Sequence, residues 1–145
     1  MATAAKSSFG TFLKLGDGAT SEAFTTIAEV KDIKGPKMKL NTEDVTSHSS
    51  TSGWAEKIAT ILEAGEVSFE MNWLPANVTQ SYTTSGLLKD MTSRTLRNFQ
   101  LVVPAAATLT WTFAAYVTAF EPDLKVKGAQ SASVSLEITG VPTLA

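Results

Sequence analysis

The chain has 145 residues, 43% of them hydrophobic and 18% charged, which is the composition of one globular domain over residues 1–145 rather than of a disordered segment. It contains no cysteine, which excludes disulfides, thiolate metal sites and cysteine nucleophiles. The net charge of −2 at pH 7 gives no general attraction to DNA phosphates or anionic lipid. We therefore expect neither a basic nucleic-acid-binding module nor, because no apolar run approaches ~20 residues, a membrane span.

The first part of the chain is predicted to form strands. Residues 11–17 and 25–40 have strand-like patterns, separated by the turn sequence "GDGAT". In the second stretch the apolar positions change parity from Val30 to Ile33, and Gly35-Pro36 follows. A change of parity within a strand predicts a β-bulge or a bend.

Residues 41–53 form a polar segment of Ser, Thr, Asp, Glu and the single histidine, with Val45 as its one large apolar residue. Loops of this length are uncommon in compact domains and are usually functional or disordered. His48 has no second His, Cys or acidic partner at ligand spacing, so we expect no metal or catalytic role for it.

The next stretch, "WAEKIATILEAG", has helical spacing. Trp54 is followed by Ile58, Ile61 and Leu62 at i+4, i+7 and i+8, and Gly65 suits a C-terminal cap. We therefore predict a short helix or turn here.

Residues 65–73, "GEVSFEMNW", alternate as a half-buried strand. Glu66 and Glu70 share its polar face and could pair as an acid and a base, although solvent-exposed glutamates are the ordinary interpretation. A helix is predicted over residues 85–99, with Ser85 as a possible N-cap. Strands are predicted at 108–120 and 131–140, and Tyr116 with Phe120 places apolar bulk on both faces of the first.

This element order predicts a mainly β protein, a β-sandwich or partial barrel with one α-helix packed on its side. Motifs for chemistry are missing from the sequence: "GDGAT" lacks the ending of a phosphate loop, and G-x-S-x-G does not occur. We expect no enzymatic activity, no cofactor and no metal.

Three ordered stretches resemble the major tail tube proteins of bacteriophages with long, non-contractile tails (the siphophage type). They are "IAEVKDIKGPKMKLNTEDVTSH", "GWAEKIATILEAGEVSFEMNW" and "AYVTAFEPDLKVKGAQSASVSLEITGVP", which together extend from about Thr25 to Pro142. The most specific part is D-V-T, a Ser-rich loop, G-W-x-E-x-I and A-G-E-V-S-F-E in that order.

The resemblance implies a structural virion protein, made in the bacterial cytoplasm and located in the virion tail. Such proteins form hexameric rings with a continuous inner β-barrel, and the rings stack into a hollow tube through which DNA is ejected. It implies self-association as well as contacts with a tape measure protein, a tail terminator and distal tail or initiator proteins. DNA would be in the lumen transiently and without specific binding.

Within this family the polar segment 41–53 would be an assembly loop that orders against a neighbouring subunit. A plain flexible surface loop is the alternative, and Trp54 could be an anchor in the interface or a core residue of the subunit. The expected interface residues are Asn41, Asp44, Thr46, Ser47, His48, Ser49 and Trp54.

The lumen would be lined by the polar faces of the bent strand pair near residues 29–40 and of the pair in 115–138. A one-residue error in register would turn these residues to the outside of the tube. The expected lumen-facing residues are Glu29, Lys31, Asp32, Lys34, Glu121, Asp123, Lys125 and Glu137.

A second hypothesis is a carbohydrate- or receptor-binding β-sandwich from a tail tip or baseplate. It predicts exposed aromatic side chains clustered in a shallow site.

Overall fold

The computed structural model describes residues 2–83, 85–104 and 109–145, so Thr108, the first residue of one predicted strand, lies outside it. The described chain contains nine strands, one α-helix and a 3₁₀ turn at Thr51–Gly53. The elements are β1 (Phe12–Gly16), β2 (Phe24–Thr26), β3 (Val30–Lys34), β4 (Lys39–Asp44), β5 (Lys57–Glu63), β6 (Glu66–Asn72), α1 (Leu87–Thr92), β7 (Arg97–Val103), β8 (Leu109–Asp123) and β9 (Ser131–Leu144).

Seven strands form one antiparallel sheet in the order β2-β1-β7-β8-β9-β6-β3. One face of this sheet is the core, because alternate residues of its central strands are buried. The helix α1 packs against β8 and contributes the fully buried Leu87. The mainly β architecture with one packed helix is therefore confirmed. Its largest fully buried side chains are Phe99, Leu13, Ile27, Met71, Leu87 and Leu136.

The described strands of this sheet have three register shifts, and two of them are β-bulges that turn side chains toward the core. The register shift between Val30 and Ile33 was expected from the parity change, and it lets both residues pack against the core. A second shift, between Val117 and Ala119, turns Phe120 to the core face, where its ring meets Trp73 edge-on with centroids 5.9 Å apart. The prediction that Phe120 covers the opposite face is therefore wrong, because the bulge reverses the alternation.

Strands β3 to β6 form one long bent hairpin. Its base, β3 with β6, belongs to the seven-stranded sheet, and its outer part, β4 with β5, forms a separate two-stranded sheet that we call the arm. At the bend, which we call the elbow, the Lys37 backbone N–H donates to the Glu66 carbonyl oxygen at 3.2 Å. Gly35 and Gly65 have φ of 111° and 75° there, and a Cβ on either would overlap the backbone of the opposite strand. Only glycine fits this close approach.

The helix predicted over residues 54–65 is wrong, because residues 57–63 form β5. On passing from Leu62 to Ala59 the strand gains one residue relative to β4, which makes a bulge. In a regular half-buried strand the apolar residues recur every two positions. Because of the bulge, Ile61 and Leu62 follow Ile58 at three and four positions, which is the spacing of an amphipathic helix.

The helix predicted over residues 85–99 is correct only in its first half. It begins after Gly86 rather than after Ser85, and it ends at Thr92. Arg94 has a φ of 55°, which ends the helix and turns the chain into β7, where Phe99 joins the core as a strand residue.

Candidate assembly surfaces

The arm exposes large apolar side chains. Every residue of β5 is solvent-exposed, although Ile58, Ile61 and Leu62 are of the kind that normally fills a core. Trp54 at the outer end is 76% exposed, so it is not a core residue of its own subunit. The exposed apolar residues of the elbow and arm are Met38, Leu40, Val45, Trp54, Ile58, Ile61 and Leu62.

These apolar side chains lie on both faces of the arm. Leu40 is directly opposite Leu62, while Ile58 is opposite Glu43. Because β4 is regular and Leu40 and Glu43 are three residues apart, the two pairs point to opposite faces. A two-stranded sheet is marginal in water without a further layer, and this arm offers an apolar surface on each side.

The outer end of the arm is a hydrogen-bonded tip. Thr46 joins its two sides, since its hydroxyl accepts from the Glu56 N–H at 2.8 Å and its own N–H donates to Asp44 Oδ1 at 2.8 Å. The hydroxyl and backbone hydrogen bonds from Thr46 lower the pKa of Asp44. The Ser50 hydroxyl donates to Glu56 Oε2 at 2.6 Å.

The expected interface residues divide between the strand and the tip. Asn41 and Asp44 belong to β4, so the expected loop 41–53 starts too early, and the connection between the strands is residues 45–56. The other members lie in this connection and are exposed: Thr46, Ser47, His48, Ser49 and Trp54.

The second surface is the solvent-facing side of the sheet across β6, β9 and β8. Strand register places Glu70, Ser133 and Glu121 side by side in one row. Another row joins Glu66, Glu137 and Tyr116, and a third joins Asn72, Ser131 and Asp123. We call this surface the acidic face.

The structure brings several expected lumen residues onto or beside the acidic face. Glu121, Asp123 and Glu137 lie on it, and Lys34 pairs with Ser68 at its edge. Glu29 lies beside it, where Asn72 Nδ2 donates to Glu29 Oε1 at 3.2 Å.

The remaining expected lumen residues are less regular. Lys31 and Asp32 lie within the β3 bulge. Lys125 lies in the turn beyond β8, with its Nζ 3.5 Å from Asp123 Oδ2. Sequence reasoning missed Glu66 and Glu70 as members of the acidic face, although their alternation with the apolar residues of β6 was the available signal.

A buried ion pair ties α1 to β7. Arg97 Nε lies 3.2 Å from Asp90 Oδ1, and its Nη1 donates to the Asp17 carbonyl oxygen at 3.0 Å. Burial raises the pKa of Asp90, and the charge of Arg97 opposes this shift. The network joins the helix, β7 and the β1–β2 turn, which makes it a structural contact.

Within residues 2–83, 85–104 and 109–145, no group of three His, Cys, Asp or Glu side chains could hold a metal ion. No helix in these ranges is long and apolar enough to cross a membrane. The two tryptophans of the sheet region, Trp73 and Trp111, pack against the core, while Trp54 is alone at the arm tip.

The arm exposes apolar side chains on both of its faces, and the seven-stranded sheet presents the acidic face. These exposed surfaces are typical of a subunit that assembles with other subunits rather than of a self-contained binding domain. Residues 12–145 match the family model described as lambda phage tail tube protein. The chain belongs to this family, and it is a structural component of a virion tail tube. The comparison with curated protein sequences finds no match.

Solved structures with the same fold come from tails and related particles. A chain of the virion of a native gene transfer agent particle superposes with a TM-score of 0.72 at 18% identity, covering 97% of this chain and 99% of that one. A chain from the tail of an empty gene transfer agent particle, computed with helical refinement and C6 symmetry, gives 0.66 at 20% identity with coverage of 97% and 99%. The SPP1 tail tube gives 0.60 at 12% identity, covering 92% of this chain and 75% of that one.

Proposed function

We propose that this subunit forms hexameric rings that stack into a hollow tube, in which strands from all six subunits close one inner β-barrel. The arm carries the proposal, because apolar side chains on both of its faces can be covered only from outside the subunit. Sixfold symmetry is supported by the C6 symmetry of the gene transfer agent tail with the same fold. Closing the rings would also remove the free edges of β2 and β3.

In this arrangement the arm lies between neighbouring subunits and its tip contacts the next ring. The cross-strand pairs Lys39–Glu63 and Asp44–Lys57 place opposite charges side by side, which would help the two strands of the free arm to stay paired. Contact with neighbours would cover Leu62 on one face and Ile58 on the other. The alternative, a plain flexible loop, gives the exposed Trp54 no role.

The test is deletion of residues 46–52, which carry no large apolar side chain and are almost fully exposed. We expect the free subunit to remain folded, because the core lies in the other sheet. We expect tube formation, seen by negative-stain electron microscopy of the concentrated protein, to be lost. Deletion of residues 2–8, also seven exposed residues, is the matched control and should leave tubes intact if the arm alone makes the contact. Ordinary tubes from the 46–52 deletion would reject the role of the tip.

We also propose that the acidic face lines the lumen through which DNA is ejected. A wall bearing Glu70, Glu121 and Asp123 has few free cations, so it would not bind phosphates and release their counterions as a basic surface does. Phage with Glu70→Lys and Glu121→Lys together should assemble yet eject DNA more slowly, most clearly at low salt. The Gln variants at both positions are the control, since they remove charge without adding cations. Normal ejection by the Lys variant at low salt would place this face outside the tube.

The place of synthesis and the other tail partners are proposed from the resemblance to the family. The subunit would be made in the host cytoplasm and would meet a tape measure protein inside the tube, a terminator at one end and a distal tail or initiator complex at the other. Initiated assembly would be seen as tubes that form only after an initiator complex is added to dilute subunits. Spontaneous tubes at the same concentration would reject control by an initiator.

A further inference from the structure

The turn between β8 and β9 is an exposed tip that combines apolar and basic side chains. Leu124 is 61% exposed and Val126 is fully exposed. Lys125 and Lys127 alternate with them in the sequence "LKVK". We call residues 124–127 the basic tip. Among the described residues, the core does not include any of these four side chains.

A groove with the opposite charge lies where the elbow meets the far part of β9. Leu62, Ile138 and Val141 supply apolar walls, and Val141 is 88% exposed. The charged side chains around the groove are Lys37, Glu63, Glu66 and Glu137. We call this the acidic groove.

The glutamates of the acidic groove are unbalanced within the subunit. Glu66 and Glu137 are directly opposite each other on β6 and β9, an arrangement of like charges that costs stability. In the part of the chain that the structure describes, neither glutamate has a cation within 4.0 Å. A cation supplied from outside would remove this repulsion.

The basic tip and the acidic groove cannot meet within one subunit. The tip precedes the start of β9 at Ser131, and Thr139 of the groove is eight residues further along the same strand, which is about 26 Å for an extended chain. The pairing of β8 with β9 between Ser131 and Thr139 holds the two ends apart. Such a pair of complementary surfaces at opposite ends produces a head-to-tail contact that repeats without closing.

We propose that the basic tip of one subunit docks into the acidic groove of a second copy in the next ring. Lys125 and Lys127 would face the Glu66–Glu137 pair, while Leu124 and Val126 would cover the apolar walls near Leu62 and Val141. Lys125 would exchange its exposed partner Asp123 for the groove. Glu137 would then lie beneath a neighbour at the ring boundary rather than on the open wall. The inference rests on the proposed function.

Charge reversal tests this contact. One variant carries Lys125→Glu and Lys127→Glu, and the other carries Glu66→Lys and Glu137→Lys. Each alone opposes like charges at every ring contact, so its yield of tubes should fall by roughly tenfold or more. An equimolar mixture should recover tubes, because rings of the two variants can alternate with opposite charges at each contact. Lys6→Glu with Lys89→Glu, two lysines away from both surfaces, is the control and should assemble normally.

Cysteine crosslinking gives an independent readout, because the chain has no cysteine of its own. In tubes of Val126→Cys with Val141→Cys, mild oxidation should give a ladder of linked subunits on a denaturing gel. Val126→Cys with Val78→Cys, which is exposed but outside the groove, should give none. If wild-type protein forms no tubes, both the proposed function and this inference fail. If wild type forms tubes but the mixture does not recover them, or the ladder is missing, the docking inference alone is overturned.

Discussion

Replacing Gly65 by alanine should open the elbow between the body and the arm. Gly65 has a φ of 75°, where an L residue costs about 1–2 kcal/mol. Its new Cβ would also overlap the carbonyl oxygen of Lys37, and that atom belongs to the backbone rather than to a flexible side chain. The two strands must therefore separate, which breaks the hydrogen bond from the Lys37 N–H to Glu66 at a further cost of about 0.5–1.5 kcal/mol.

Gly53 supplies the matched comparison. Its φ is 73°, but no atom lies within 4 Å of the position of an added Cβ. Gly53→Ala therefore has the backbone cost without the overlap. For a chain of this length 1 kcal/mol corresponds to about 4 °C in melting temperature, so we expect losses of about 4–8 °C for Gly53→Ala and a further loss of about 2–6 °C for Gly65→Ala.

Two measurements check the prediction. Melting followed by circular dichroism gives the difference between the two variants, and electron microscopy gives their ability to form tubes. For tube formation the control is Gly10→Ala, since Gly10 also has a positive φ and open space and is remote from the arm in sequence. The reasoning about the elbow is refuted if Gly65→Ala has the same melting temperature as Gly53→Ala and also forms as many tubes as Gly10→Ala.

Three other substitutions separate assembly from folding. Trp54→Ala should change the unfolding free energy of the free subunit by less than about 0.5 kcal/mol, because the side chain is exposed. The same substitution should abolish tube formation. A large loss of stability would show that Trp54 packs on its own subunit. Phe99→Ala should cost about 3–5 kcal/mol in urea unfolding, because the ring is fully buried and stacks with Phe113, and a cost below 1 kcal/mol would contradict its place in the core. Asp90→Asn tests the raised pKa of Asp90. Between the ordinary pKa of 3.8 and the higher pKa of the folded state, the folded wild type binds more protons than the unfolded chain does. The unfolding free energy of the wild type relative to the variant should therefore fall as pH rises through this range. A difference that grows with pH would contradict the direction of the shift.

The sequence predicted the regular parts of the fold well. Strict alternation of apolar and polar residues predicted β6 and β9 and their buried faces. In a half-buried strand every second side chain faces the core, so the sequence alternates with a period of two. The parity change between Val30 and Ile33 likewise predicted the bulge in β3. Family resemblance, rather than alternation, supplied the role in a tail tube.

The arm could not be predicted for two physical reasons. Its bulge gives Ile58, Ile61 and Leu62 a helical spacing, and single-sequence periodicity cannot distinguish the two cases. Its apolar residues are also exposed in the described chain. A strand that is not half-buried in its own subunit does not show the alternation of apolar and polar residues from which a strand is predicted. The acidic face was predicted in part, since Glu121 was among the expected residues. Alternation places Glu66 and Glu70 on the polar face of β6, but only the order of strands in the sheet brings that face beside Glu121.

The bent hairpin also determines how the subunit would respond to mechanical force. Because β5 continues through Gly65 into β6, a pull on the arm along its strands reaches the junction of β6 with β9. That junction holds seven consecutive residue pairs, from Glu66–Glu137 to Asn72–Ser131. Tension parallel to the strands loads all of these rungs in shear at once, whereas a pull at right angles would peel them one at a time. Of these two directions, the one parallel to β6 is therefore the one in which the junction resists more force.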